Sequence, residues 1–188
     1  MSNKTQKSAL ISVFNKAGIE KIAKKFKELD IRIISTGGTE KYLTSLNFDV
    51  LKVENLTSYP SIFGGRVKTL HPSIFGGILY RRENESDIIE QKNYDIPSID
   101  YVIVDLYPFE ETVLNASSHE DIIEKIDIGG ISLIRAAAKN YKDVVCVSSI
   151  DQYEDFLSDL DDSQGNFSIK KNKIMLHMRS KYQAIMIL

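Results

Sequence analysis

Cysteine is nearly absent from this chain of 188 residues. Cys146 is its single thiol, which excludes an internal disulfide framework and points to a reducing compartment, the cytoplasm. Long apolar runs are missing as well. No stretch approaches the roughly 18 consecutive apolar residues of a membrane span, and the opening MSNKTQKSAL lacks the hydrophobic stretch of a secretory signal, so no membrane partner is expected. Nor is there an excess of one charge: 24 basic against 26 acidic residues leave a net charge of -2, with no general attraction for nucleic acid. His71, His119, His177 and Cys146 do not have the spacing of a metal site, and no metal is expected. The chain also lacks a Walker loop and the three spaced glycines of a dinucleotide fingerprint, which disfavours an ATPase or a nicotinamide enzyme; no cofactor is expected. A small-molecule partner remains.

What is present is an alternation of apolar runs and helical patterns. ALISVF (9–14), IRIIST (31–36), DVLKV (49–53), YVIVDLY (101–107) and VVCVSS (144–149) read as buried strands. After the first, Asn15 is placed to cap a helix whose apolar face is Ile19, Ile22, Ala23, Phe26 and Leu29; after the second, Thr39 is placed to cap a helix carrying Tyr42, Leu43 and Leu46. Strands that are apolar throughout and separated by helices predict an α/β fold: a three-layer, doubly wound sheet of about five mainly parallel strands. One domain over 1–160 is expected, with a helical extension over 161–188 in which Met175, Met178, Tyr182 and Ile185 form a stripe. Residues 58–82, with two Gly-Gly pairs and two prolines, are too punctuated for a plain helix and read as a long functional loop.

Ligands of such sheets bind at the carboxyl ends of the strands. There Ser35-Thr36-Gly37-Gly38-Thr39 suits an oxyanion, because glycines admit close approach and the amides of the next helix point outward; a tight capped turn is the plain alternative. Lys16, at the first strand end, places a cation one unit away. In an extended GGRVKTLHP segment Arg66 and Lys68 project to one side and Val67 to the other. His71, before Pro72, is more commonly a loop-fixing residue than a catalyst. In KIDIGGISLIRAAAKNY, Asp127 stands at a helix entrance, where it is a cap or a base.

STGGT, GGRVKTLHP, LYPF and DIGGISLIRAAAKN, in this order, resemble the inosine monophosphate cyclohydrolase domain of the bifunctional purine-biosynthesis proteins that also carry a formyltransferase. The resemblance covers about 9–160 and implies a fold like methylglyoxal synthase, a homodimer, and closure of a formylated aminoimidazole carboxamide ribonucleotide to a purine with loss of water. It implies Lys68, Tyr107, Asp127 and Lys139 as catalytic residues, with Asp127 the base, Lys139 its partner and proton donor, and Lys68 with Tyr107 stabilising the oxyanion. It implies a phosphate seat at Ser35, Thr36, Gly37, Gly38 and Thr39, helped by Ser12, Phe14, Asn15 and Lys16. Arg66, Thr69, Val104, Asp105, Ile128, Gly129 and Gly130 line the remainder of the implied nucleotide site. Departures are Phe14, Asn15 and Ala17 in the first loop, Asp105 where asparagine is usual, Phe75 where histidine is common, and no room for a formyltransferase region. A regulatory ligand-binding module, as in carbamoyl phosphate synthetase, methylglyoxal synthase itself and a decayed domain are the rival readings.

Overall fold

A computed structural model describes residues 6–106, 113 and 118–167. Five strands form one sheet in the order β3-β2-β1-β4-β5, every neighbouring pair parallel. They are β1 (Ser8–Ser12), β2 (Arg32–Ser35), β3 (Val50–Lys52), β4 (Tyr101–Val104) and β5 (Val145–Val147). Each is shorter than its apolar run, because the run continues past the last ladder bond into the turn; Val53 already begins a helix.

Both faces of the sheet are covered, as the unbroken apolar strands require. One face carries Ala9, Ile11, Tyr101 and Ile103 against α1 (Ile19–Glu28) and α8 (Tyr153–Ser163), with Phe26 and Phe156 fully buried between them. The other carries Leu10, Val102, Val104 and Cys146 against α4 (Pro72–Leu79) and α7 (Gly129–Lys139). Alternate residues of β1 and β4 thus serve opposite cores. Other α-helices among the described residues are α2 (Gly37–Ser45), α3 (Val53–Thr57), α5 (Glu85–Asn93) and α6 (His119–Glu124). Among the described residues no helix is long and apolar enough to cross a membrane, and no cluster of potential metal ligands occurs.

The punctuated segment 58–82 does contain a regular element, α4. His71 is its cap, the imidazole Nδ1 accepting from the Ser73 amide at 3.1 Å, and Pro72 supplies the preset first helical residue. Gly76 and Gly77 are not turn residues. They let α4 lie against the chain entering β4: a methyl carbon on Gly77 would stand 2.4 Å from the Pro97 carbonyl oxygen. The helical face expected from Ile19, Ile22, Ala23 and Phe26 is buried as read. Packing extends through Phe167, whose ring stacks on Phe156 with centroids 5.7 Å apart, and Tyr101 donates to the Gly165 carbonyl at 2.6 Å. The stripe from Met175 to Ile185 lies outside the described residues.

Candidate active site

The sheet order reverses direction between β1 and β4, and a crevice at the carboxyl ends of these two strands is where a doubly wound fold holds ligands. The loop after β1 is closed there by the residue after β4. Asp105 accepts from the Phe14 amide through one carboxylate oxygen and from the Asn15 amide, at 2.8 Å, through the other. Lys16 folds back on the same loop and donates to the carbonyls of Val13 and Phe14, the latter at 2.9 Å. Burial lowers the Lys16 pKa, opposed by the nearby Asp105 charge. Asn15 does not cap α1. Its side chain accepts from the Ala17 amide at 2.9 Å, and the cap position falls on Gly18, whose φ of 77° suits glycine. Ser12, half-buried, ends β1.

At the second turn the capping expectation also shifts. Thr36, not Thr39, precedes the first residue of α2, and the Thr39 hydroxyl instead accepts from the Val13 amide at 3.1 Å and donates to the Val13 carbonyl at 2.9 Å. Ser35 is buried and donates to the Ile11 carbonyl at 2.7 Å, while Thr36 donates to Glu54 at 2.7 Å. All three hydroxyls are therefore spent on the protein. The donors left for an anion are the amides of the first turn of α2, with Gly37 at φ 58° and open space beside Gly38. The Ser35 and Thr36 side chains thus brace the turn from within the protein.

Lys68 reaches this turn from the long segment: a methyl carbon on Gly37 would lie 3.5 Å from its ammonium, and one on Gly65 3.7 Å from it. Arg66 does not share its direction. Its φ of −66° and ψ of −26° are helical, not extended, and its guanidinium pairs with Glu124 on α6. Thr69 is buried, with its hydroxyl 3.3 Å from a methyl carbon placed on Gly129 at the start of α7. Segment 58–71 thus spans from α2 to α7.

Asp127 faces the same place. Its carboxylate accepts from the Gly130 amide at 2.6 Å, so it closes the open end of α7. Burial pushes its pKa up; the Gly130 amide and the Lys68 ammonium hold it down, and Asp105 adds to the rise. The cation acting on Asp127 is therefore Lys68. Lys139 is not its partner within one chain: it is the last residue of α7, about 15 Å along the axis from Gly129 at 1.5 Å per residue, beyond the reach of a lysine side chain. The Val104 side chain is buried in the core, where it ends β4. Ile128 is exposed beside Asp127, and Tyr107 lies outside the described residues. Sequence reasoning missed Glu54 and Glu124 as partners of Thr36 and Arg66, and no pattern in the sequence marks either pairing.

Gly130 is constrained by the carboxylate it serves, because a methyl carbon there would meet Asp127 Oδ2 at 2.6 Å and Leu106 Cδ2 at 2.9 Å. Gly130→Ala is expected to swing the carboxylate away while leaving the fold intact. The Asp127 resonance, followed by carbon-detected NMR titration, should move back toward the ordinary carboxyl range.

The MGS-like domain model matches residues 18–132. The bifunctional purine biosynthesis protein PurH of Bacteroides thetaiotaomicron is 54% identical over 173 residues, 92% of this chain and 34% of that protein. The PurH of Clostridioides difficile is 51% identical over 154 residues, 82% of this chain and 30% of the relative. The chain thus spans about a third of the length of the curated relatives it matches, in their N-terminal part. A crystal structure of ForH superposes with a TM-score of 0.81 at 31% identity, covering 96% of this chain and 94% of that one. The chain belongs to the MGS-like domain family, and within it corresponds to the N-terminal part of the PurH proteins.

Proposed function

We propose that the chain is an inosine monophosphate cyclohydrolase of purine biosynthesis, which closes 5-formamidoimidazole-4-carboxamide ribonucleotide to inosine monophosphate and releases water. The observation that carries this reading is the position of Lys68, whose ammonium lies at the Gly37 turn while its charge acts on Asp127. A phosphate at the turn and a carboxylate beside the reacting end of one ligand are what the reaction needs. The 5′-phosphate lies against the amides of Gly37, Gly38 and Thr39. The carboxamide nitrogen attacks the formyl carbon as Asp127 takes its proton, and Lys68 stabilises the oxygen that becomes anionic. That oxygen is then protonated to a hydroxyl, which takes a second proton and leaves as water as the formamido nitrogen loses its hydrogen; the former carboxamide nitrogen keeps its remaining hydrogen, and the ring is complete. Burial of Asp127 suits it to the first step, since a carboxylate with raised proton affinity is the stronger base. No step uses a metal or a covalent nucleophile. Tyr107 enters only through the resemblance, and two copies of the chain are proposed to pair on the same ground.

The test follows the ultraviolet change on ring closure with the purified chain and no added metal. The rate with Lys68→Ala is expected to fall by about a hundredfold or more, the loss typical of one removed oxyanion donor. Binding of the phosphorylated ligand without turnover in the wild type would sink the enzymatic reading and favour a regulatory module.

A further inference from the structure

Thr36 stands at the entrance of α2 with the extended backbone of a helix cap, φ −146° and ψ 160°, and threonine is a favoured residue there. Yet its side chain makes no capping bond to the helix. The buried hydroxyl donates instead to the Glu54 carboxylate at 2.7 Å. We propose that Glu54 is a positioning residue of the phosphate seat: by accepting the Thr36 hydrogen it fixes the entrance of α2 and so holds the amides of Gly37, Gly38 and Thr39 in the arrangement an incoming phosphate meets. The proposal rests on the α2 turn being the phosphate seat, as argued above.

Three observations carry it. Gly37 and Gly38 have no side chains with which to hold the turn, so its shape depends on the residues on either side. Both are fastened, Thr39 to Val13 and Thr36 to Glu54. The second observation is where Glu54 comes from. It lies in the first turn of α3, directly after β3, and β3 pairs with β2, which leads into α2; the bond therefore ties together the exits of two neighbouring strands. The third is that this tie is doubled. Lys52, at the end of β3, pairs at 3.2 Å with buried Glu40 in the first turn of α2, and Val53 between Lys52 and Glu54 is fully buried. The β3–α3 junction thus grips α2 at Thr36 and again at Glu40. A carboxylate near an anion's seat is adverse by its charge, so the help Glu54 gives comes from accepting the hydrogen bond, which spares the ligand the cost of ordering the turn.

Inosine monophosphate and inosine are titrated calorimetrically into the full chain and into Glu54→Ala, Glu54→Gln, Thr36→Val and the Thr36→Val/Glu54→Ala double variant, and ring-closing kinetics are measured on each. Glu54→Ala should weaken inosine monophosphate binding and raise KM by about tenfold, as for one lost hydrogen bond to a charged group, while kcat and inosine affinity change by less than about twofold. Glu54→Gln should restore binding to within about threefold of the wild type, because its carboxamide oxygen still accepts from Thr36. In the Thr36→Val background Glu54→Ala should have no effect, since its route to the seat is already cut. Wild-type affinity in Glu54→Ala, an equal loss for inosine, a Glu54→Gln variant as weak as Glu54→Ala, or a tenfold loss that persists in the Thr36→Val background overturns the proposal. Gly37→Val separates it from the reading beneath it. If Gly37→Val abolishes the preference for inosine monophosphate over inosine while Glu54→Ala leaves it intact, the α2 seat stands and the role of Glu54 falls. If Gly37→Val leaves that preference intact, the α2 seat falls and the role of Glu54 falls with it.

Discussion

Asp127→Asn is expected to lower the ring-closing rate by about a hundredfold to ten-thousandfold, the range for a lost general base, while the protein unfolds at the same temperature or a higher one. The two halves of this result come from one cause. Burial raises the folded-state pKa of Asp127, so the folded protein holds this proton more tightly than the unfolded chain does. The carboxyl therefore favours folding fully below its unfolded pKa of about 3.9, and that contribution is lost as pH rises through the folded pKa. At neutral pH the charge is a cost, offset in part by Lys68 and the Gly130 amide. Asparagine removes the charge and retains an oxygen for Gly130. Thermal unfolding at pH 7 should show the variant at least as stable as the wild type, and the difference should vanish near pH 4. A variant melting several degrees below wild type at pH 7 would contradict this account, and so would full activity.

Gly77→Ala is expected to be the most damaging single methyl group in the protein. Its carbon would fall 2.4 Å from the Pro97 carbonyl oxygen and 3.1 and 3.2 Å from Ile99 side-chain carbons, and the first of these is backbone that cannot rotate aside. The Ile99 amide also donates to the Gly77 carbonyl at 3.0 Å, so separating α4 from the approach to β4 breaks a hydrogen bond as well. Overpacking of this kind costs about 3 kcal/mol, which for a chain of this size lowers the melting temperature by about 6–12 °C. Gly38→Ala is the control. Nothing lies within 4 Å of its methyl carbon, and alanine is the better helix former, so the fold should be unharmed or slightly stabilised. Equal melting temperatures for Gly77→Ala and the wild type would show that α4 packs less closely than described.

The strands were legible because burial on both faces leaves an unbroken apolar run, and the first helix because Ile19, Ile22, Ala23 and Phe26 repeat at its period. α4 was not, since glycines that permit close packing look the same in a sequence as glycines that permit a turn. The caps of α1 and α2 were displaced by a related ambiguity. Asn15 and Thr39 are good cap residues, but each spends its side chain on the first loop, and tertiary partners decide between local uses of a polar group. Of the expected catalytic set, Lys68 and Asp127 come together because two loops end on one rim. Lys139 does not join them, since a motif records order along a helix and not the length that separates its ends. The pairing of Asp105 with two amides was equally hidden: the sequence shows an unusual charge, and only the fold shows what neutralises it.

The doubled hydrogen bond between Thr39 and Val13 has a mechanical consequence. It fastens the residue after β1 to the first turn of α2, so that the two turns are held against each other. Any clamping on a guest must then come from across the gap, from the strap bearing Lys68, which is moored to α6 by the solvent-screened Arg66–Glu124 pair.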